Sequence, residues 1–232
     1  MFNCGNTPTF SVDFNGFNSE VSSHLLSTKK MSYGEGTARY QAHLESTGKS
    51  PAEMLKNLKG NGQLTFENGI WVGTGSNKVL PLVKRTIDNH VPKETFDKEM
   101  NRILNSGKTA IQKIDGAFTI ENGQFKAMNT VLNGEDFVSD PMQIQWDIAK
   151  DSFDILVPIT LSAYADLPPF ALTVRGKSDA LAYQTNYVDL SSSVADIVKA
   201  EREQLAEKKQ TEKDKEMKIA LSEREDKIRE AI

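Results

Sequence analysis

Cysteine is nearly absent from this sequence. The single residue, Cys4, excludes an internal disulfide and a thiolate zinc cluster, and a tail thiol is its plain reading. Long apolar runs are also missing. The longest, Ile155–Ala165, is too short to cross a bilayer and is interrupted by Pro158. Charge of one sign is lacking too, with a formal net charge of -4 and a pI near 5.5. That balance excludes a broad nucleic-acid footprint. The opening stretch, MFNCGNTPTF, has no basic n-region and no apolar h-region, so it is not a signal peptide. The chain is expected to be soluble as written, and any targeting segment or membrane anchor is expected to lie outside it. No G-x-S-x-G, H-E-x-x-H or Walker sequence occurs.

The order of what is present points to a sheet. Phe10, Val12 and Phe14 alternate with Ser11, Asp13 and Asn15, as in a half-buried strand. Ala38, Tyr40, Ala42 and Leu44 continue in the same style over Tyr33–Leu44. Ser50-Pro51 followed by Glu53 predicts a short helix to Leu58, capped by Ser50. Ser76 is a second candidate cap. Beyond it, Val79, Leu82, Val83 and Ile87, and then Phe96, Met100, Ile103 and Leu104, recur at helical spacing. They predict a helical insert around 77–105. Short strands are expected over Thr130–Leu132, Met142–Ile148, Phe153–Leu161, Phe170–Val174 and Ala180–Val188, with turns at Asn133-Gly134, Asp140-Pro141, Lys150-Asp151 and Pro168-Pro169. The expected fold class is mainly β with helical additions (α+β): a curved antiparallel meander with short covering helices and a long charged C-terminal helix.

One phrase occurs twice. GQLTFENGIW at Gly62–Trp71 returns as GAFTIENGQF at Gly116–Phe125. Asn68-Gly69 and Asn122-Gly123 both read as two-residue hairpin turns, because both residue types accept positive φ. After Leu190 the composition changes. Val194, Ile197, Val198 and Leu205 form one apolar stripe, and Glu207–Glu216 holds no large apolar residue. Two regions are therefore expected: a β-domain over 1–190 and a charged, solvent-exposed helical tail over 191–232. The tail's apolar positions are too sparse to specify a coiled coil.

Residues able to carry chemistry are scattered. His24, His43 and His90 have no metal-ligand spacing. Asp115, Glu121, Asp136, Asp147 and Asp154 offer carboxylates, but acids in alternating strands form the solvated face. GTGSNK at Gly73–Lys78 lacks the ending of a phosphate loop and reads as a strand-to-helix turn. No catalytic residue, metal or cofactor is assigned, and the expectation is a protein that is not an enzyme. Trp71 and Trp146 read as sheet residues with apolar neighbours.

Three segments carry a family resemblance. They are GNGQLTFENGIWVGTG at Gly60–Gly75, KTAIQKIDGAFTIENGQFKAMNTVLNGEDF at Lys108–Phe137 and QIQWDIAKDSFDILVPITL at Gln143–Leu161. With LPPFALTVRGKSDALAYQTNY at Leu167–Tyr187, their order resembles the C-terminal region of the AsmA family of bacterial envelope proteins, over roughly 50–190. That family resembles the bridge-type lipid transport proteins. The resemblance implies a curved sheet with a greasy groove, a periplasmic setting, an inner-membrane anchor in the full-length protein, and a part in phospholipid movement or outer-membrane assembly. The implied ligand is a phospholipid or another apolar molecule. Acyl chains would lie along Leu64, Phe66, Phe118, Ile120, Ile144, Trp146, Ile155 and Val157, the candidate groove face. These same residues also fit a closed core. The alternative is a structural scaffold with a closed core and no lipid, whose C-terminal helix docks an envelope protein partner.

Overall fold

The computed structural model describes residues 7–20, 26–27 and 32–230. His24 and Cys4 lie outside them. Eleven strands form one antiparallel sheet. In chain order they are β1 (Thr9–Glu20), β2 (Leu26–Ser27), β3 (Ser32–Gly34), β4 (Thr37–Thr47), β5 (Lys59–Val72), β6 (Lys108–Glu121), β7 (Gln124–Gly134), β8 (Phe137–Asp147), β9 (Ser152–Leu161), β10 (Phe170–Lys177) and β11 (Ala182–Asn186). From β4 onward each strand hydrogen-bonds to the next, which is the expected meander. Helices are α1 (Pro51–Lys56), α2 (Val79–Asp88), α3 (Lys93–Leu104) and α4 (Val188–Glu230). None of the described helices is long and apolar enough to cross a membrane.

Local chemistry explains most of these elements. Ser50 caps α1 by accepting from the Glu53 N–H, and Pro51 supplies the preset first turn. Asn122 and Gly123 both have positive φ, 51° and 72°, and Glu121 pairs with Gln124 across them. That is the mirror-image two-residue turn that matches strand twist.

The same dipeptide behaves differently in β5, which runs unbroken through Asn68-Gly69. Asn68 takes φ 57° while Gly69 does not turn positive, so the condition for a tight hairpin is met at one residue only. Across this point the β5 partner changes from β4 (Thr37 opposite Glu67) to β3 (Gly34 opposite Ile70). Glu35 and Gly36, at φ 61° and 89°, make the matching kink on the other side. Ile70–Val72 has neighbours on both edges, β3 and β6, and so continues the strand instead of returning as a hairpin arm.

The repeated phrase is therefore not a hairpin used twice. Its two copies are adjacent antiparallel strands. Gly62 stands opposite Phe118 and Leu64 opposite Gly116, so the glycine of each copy faces an apolar residue of the other. A Cβ on Gly62 would come within 2.5 Å of the Phe118 ring.

Two further turn signals do not sit where the sequence puts them. Asn133-Gly134 are the last residues of β7, and the chain turns just beyond them at Glu135-Asp136. Pro141 lies within β8, where the register shifts between Val138 and Gln143. A bulge tolerates proline because the inserted residue leaves the hydrogen-bond ladder. Ser76 caps nothing: its hydroxyl meets the Thr74 hydroxyl at 3.1 Å, and the turn before α2 has no side-chain cap.

Strand registers place one apolar face across the whole sheet. The residues Val12, Leu44 and Gly60 share a row, as do Phe14, Ala42, Gly62 and Phe118. The helical cover is narrower than that face. α2, α3 and the start of α4 close a core over the later strands, with Leu82, Phe96, Met100, Leu132, Ile159 and Leu172 all in one buried cluster. Over β1 and the middle of β4 no helix covers the face, and Phe10 and Phe14 are 40% and 44% exposed; at the end of β4, α1 covers Ser46, whose hydroxyl donates to the Met54 carbonyl.

The tail boundary expected at 190/191 also shifts. Leu190, Val194 and Val198 are buried in the same cluster as α2 and α3. The Lys93 Nζ–Ser191 Oγ bond of 2.7 Å and the Tyr187 hydroxyl donating to the Asp97 carbonyl at 3.2 Å fasten this junction. Only beyond Arg202 does α4 run fully exposed, through Leu221. Leu190→Ala is expected to lower unfolding stability by about 2–5 kcal/mol, as for any large-to-small core change. Leu205→Ala, on the exposed stretch, is expected to change it by less than about 0.5 kcal/mol. Chemical denaturation of the pair checks whether α4 belongs to the core.

Candidate functional site

At the border between covered core and bare sheet lies a slot. Tyr33 from β3, Leu64, Phe66 and Trp71 from β5, Ile114, Gly116 and Phe118 from β6, Phe125, Ala127 and Thr130 from β7, and Met142 and Ile144 from β8 line it. One face of five neighbouring strands can enclose one cavity only if the sheet curls. The register shifts in β6–β7 and β7–β8 supply bends where β7 passes the slot. The slot holds about 550 Å³ of space, its open mouth included, and little of that lies clear of the walls, so it is narrow.

The glycines of the repeated phrase let neighbouring side chains pack over the strands beside the slot. Gly116 projects no side chain into the slot, and the space above it is taken by Thr130, whose Oγ1 would lie 2.6 Å from a Cβ there. Aromatic rings form the walls. Tyr33 meets Phe66 and Trp71 edge-on at 5.9 and 6.1 Å, and Phe118 stacks on Phe125 at 4.9 Å.

Two polar groups border the slot without being accessible in it. The Tyr33 hydroxyl and Thr130 Oγ1 are buried without a partner. The Tyr33 hydroxyl sits where a side chain on Gly69 would be, 2.3 Å from that Cβ position. Burial pushes the Tyr33 phenol up to about 12. Nothing in the lining presents a charge, so the slot favours hydrocarbon over any group that needs a hydrogen bond.

The eight residues expected to form a groove face all lie on this face of the sheet, in different surroundings. Leu64, Phe66, Phe118 and Ile144 line the slot. Trp146 stands one row away, stacked flat on Phe153 at 5.0 Å. Ile120 is buried opposite Gly60. Ile155 and Val157 are 3% and 1% exposed, inside the closed core. Alternation identified their face. It did not identify Tyr33, Trp71, Thr130 or Met142 as neighbours, because a kink at Glu35-Gly36 and bulges in β7 and β8 bring them in.

The carboxylates considered from sequence occupy separate surroundings. Asp115 accepts from Thr65 at 2.6 Å, and this bond holds its carboxyl below the usual range. Asp147 is held at about 2 by Lys150 and Gln124. Asp154 pairs with Arg175 at 2.9 Å. His43 bridges Asp13 at 2.8 Å and Glu45 at 3.1 Å on the opposite, polar face. Its pKa is raised by those two bonds. Among the described residues no group of three His, Cys, Asp or Glu side chains could hold a metal ion. The Gly73–Lys78 turn spends its polar groups internally. The Ser76 N–H donates to Thr109 Oγ1 at 2.8 Å, and Thr109 donates to the Thr74 carbonyl at 2.7 Å.

No family model, curated protein or solved structure matches the chain.

Tyr33 gives a spectroscopic check of the slot wall. Its folded pKa is about 12 against an unfolded value near 10, so the fold is unaffected by this group below about pH 10 and loses stability as pH rises from there toward 12. Tyr183 is also raised to about 12 by burial. Absorbance titration is expected to resolve Tyr33 and Tyr183 as a late-ionising pair. Tyr33→Phe removes one of them and is expected to leave stability equal or higher at neutral pH, because the hydroxyl it deletes is unpartnered.

Proposed function

We propose that the protein is a non-enzymatic lipid-holding protein of the bacterial envelope, AsmA-like, in which an acyl chain of a phospholipid lies in the β5–β8 slot. Its place is periplasmic, on an inner-membrane anchor outside this chain, with a part in phospholipid transport or outer-membrane assembly. The observation that carries the reading is the slot's lining: narrow, aromatic and aliphatic, without an accessible polar group, and adjoining bare apolar sheet.

The mechanism is physical. Each methylene taken from water gains about 0.8 kcal/mol, so a run of about eight gains roughly 6 kcal/mol before the cost of association is counted. That cost is at least about 4 kcal/mol. The net is weak, which suits a carrier that must release its load. The head group stays at the slot mouth, since no lining group can replace its water. Bare Tyr40, Phe14 and Phe10, which continue the same face toward β1, extend the surface along which a chain can slide.

A second reading has its own support. Past Arg202, α4 is exposed on every side through Leu221, and its large apolar residues Leu205, Met217, Ile219 and Leu221 meet solvent. A scaffold whose helix docks an envelope protein partner would present such an element. The slot favours the lipid reading, because a pure scaffold has no use for it.

Brominated phospholipid distinguishes the two readings. Trp71 lines the slot, so in a Trp146→Phe background its fluorescence is expected to be quenched by brominated acyl chains. Leu64→Glu and Ile144→Glu, at half-buried lining positions, are expected to weaken quenching at least about tenfold, the effect of placing a charge in an apolar site. They are also expected to remove lipid from protein purified without detergent. Wild-type protein that carries no lipid by mass spectrometry and shows no quenching sinks this reading.

A further inference from the structure

β1 is the outer edge of the sheet, and β4 is its one neighbour among the described residues. Natural edge strands are shielded by charged residues, above all lysine, by proline or by bulges. Thr9–Asn15, TFSVDFN, carries one charge, Asp13, already paired with His43 of β4; it has no lysine or proline, and the first register shift comes after Gly16. On the apolar face the edge presents Phe10 and Phe14, 40% and 44% exposed, with Val12 between them in the row of Leu44.

The stretch is symmetric about Val12: Phe-Ser-Val-Asp-Phe reads apolar, polar, apolar, polar, apolar in either direction. Such a strand can pair antiparallel with itself. For two sheets to join with their apolar faces on the same side, the two-fold axis must stand normal to the sheet. Apolar positions then face apolar positions, because directly opposite residues share a face. Centring on Asp13 would set carboxylate against carboxylate. Centring on Ser11 would leave Phe14 opposite Pro8, outside the strand. Centring on Val12 places Phe10 against Phe14 of the second copy, twice over, and Asp13 against Ser11. It also leaves the Asp13–His43 ion pair intact on the polar face.

We infer that β1 is a homodimerisation edge, at which a second copy of this chain pairs antiparallel about Val12 and makes one continuous apolar face from two sheets. The occupant is a second copy because the edge is complementary to itself in hydrophobic pattern, and the register about Val12 sets Asp13 opposite the neutral Ser11 and not opposite a second carboxylate. Its aromatic residues already sit on the face that a joined sheet would extend. The contact is one strand wide, below the roughly 1,200 Å² of a standard interface, so monomer and dimer exchange and the dimer fraction depends on concentration. The inference stands apart from the acyl-chain reading, since the slot residues of β5–β8 take no part in it.

Register-specific crosslinking tests it. In a Cys4→Ser background, Val12→Cys brings two cysteines to opposed positions about 4.5–5.5 Å apart between Cα atoms, within disulfide reach. Mild oxidation is expected to give covalent dimer for Val12→Cys, little for Ser11→Cys or Asp13→Cys alone, and heterodimer when those last two are mixed. Sedimentation of the wild-type chain is expected to show concentration-dependent dimer, and Phe14→Lys to weaken it at least tenfold. A wild-type chain that stays monomeric to about 200 µM, a range in which weak edge contacts are occupied, overturns the inference, whether or not phospholipid vesicles capture it. So does Val12→Cys that crosslinks no faster than Ser11→Cys.

Discussion

A sheet buries apolar surface on one face only if something covers that face, and here the cover is too small. α2, α3 and the first turns of α4 close over β7–β11 and the nearby parts of β5 and β6, where Leu132, Ile159, Phe170 and Leu172 are almost fully buried. β1 and β4 carry the same alternation, but only the short α1 reaches them, at the Ser46 end of β4, so Phe10, Phe14 and Tyr40 stay partly in water. The slot exists at the line between these regimes. Stability rests on the covered half, and any apolar ligand meets the other.

The helical cover is held to the sheet by a few specific junctions. The Tyr183 hydroxyl donates to the Leu104 carbonyl at 3.0 Å and ties β11 to the end of α3. Lys93, Asp97 and Ser191 join α3 to α4 at a part-buried site. Buried hydroxyls of Thr74, Ser76 and Thr109 satisfy the turn that leads into α2. Such groups contribute modestly as net hydrogen bonds but are expensive to break once buried. They fix where the cover stops, and therefore where the slot opens.

Much of this was legible beforehand, for reasons that differ by residue. Ser50 and Pro51 start α1 because capping is decided within one turn of chain. Asn122-Gly123 turns because both residues take positive φ and the chain on either side pairs with itself, Glu121 opposite Gln124. Asn68-Gly69 carries the same letters and failed as a turn, since β3 and β6 flank Ile70–Val72 and hold it extended. Pro141 looked like a boundary and is a bulge, since the neighbours across β8 can absorb one unpaired residue. Val194 and Val198 looked like the start of a free tail and are core, because α2 and α3 offer them a face.

The sequence by itself determined the class of structure, the meander order and the face on which Leu64, Phe66, Phe118 and Ile144 sit. Alternation has a period of two and is set by the pleat, so it survives any arrangement of the strands. What lies opposite that face was decided only by tertiary structure. Leu64 and Val157 follow the same pattern, yet one lines a slot and the other is sealed in the core. The difference comes from helices distant in the chain and from bulges that bend the sheet, and no local pattern encodes the distance between two elements that meet only when folded.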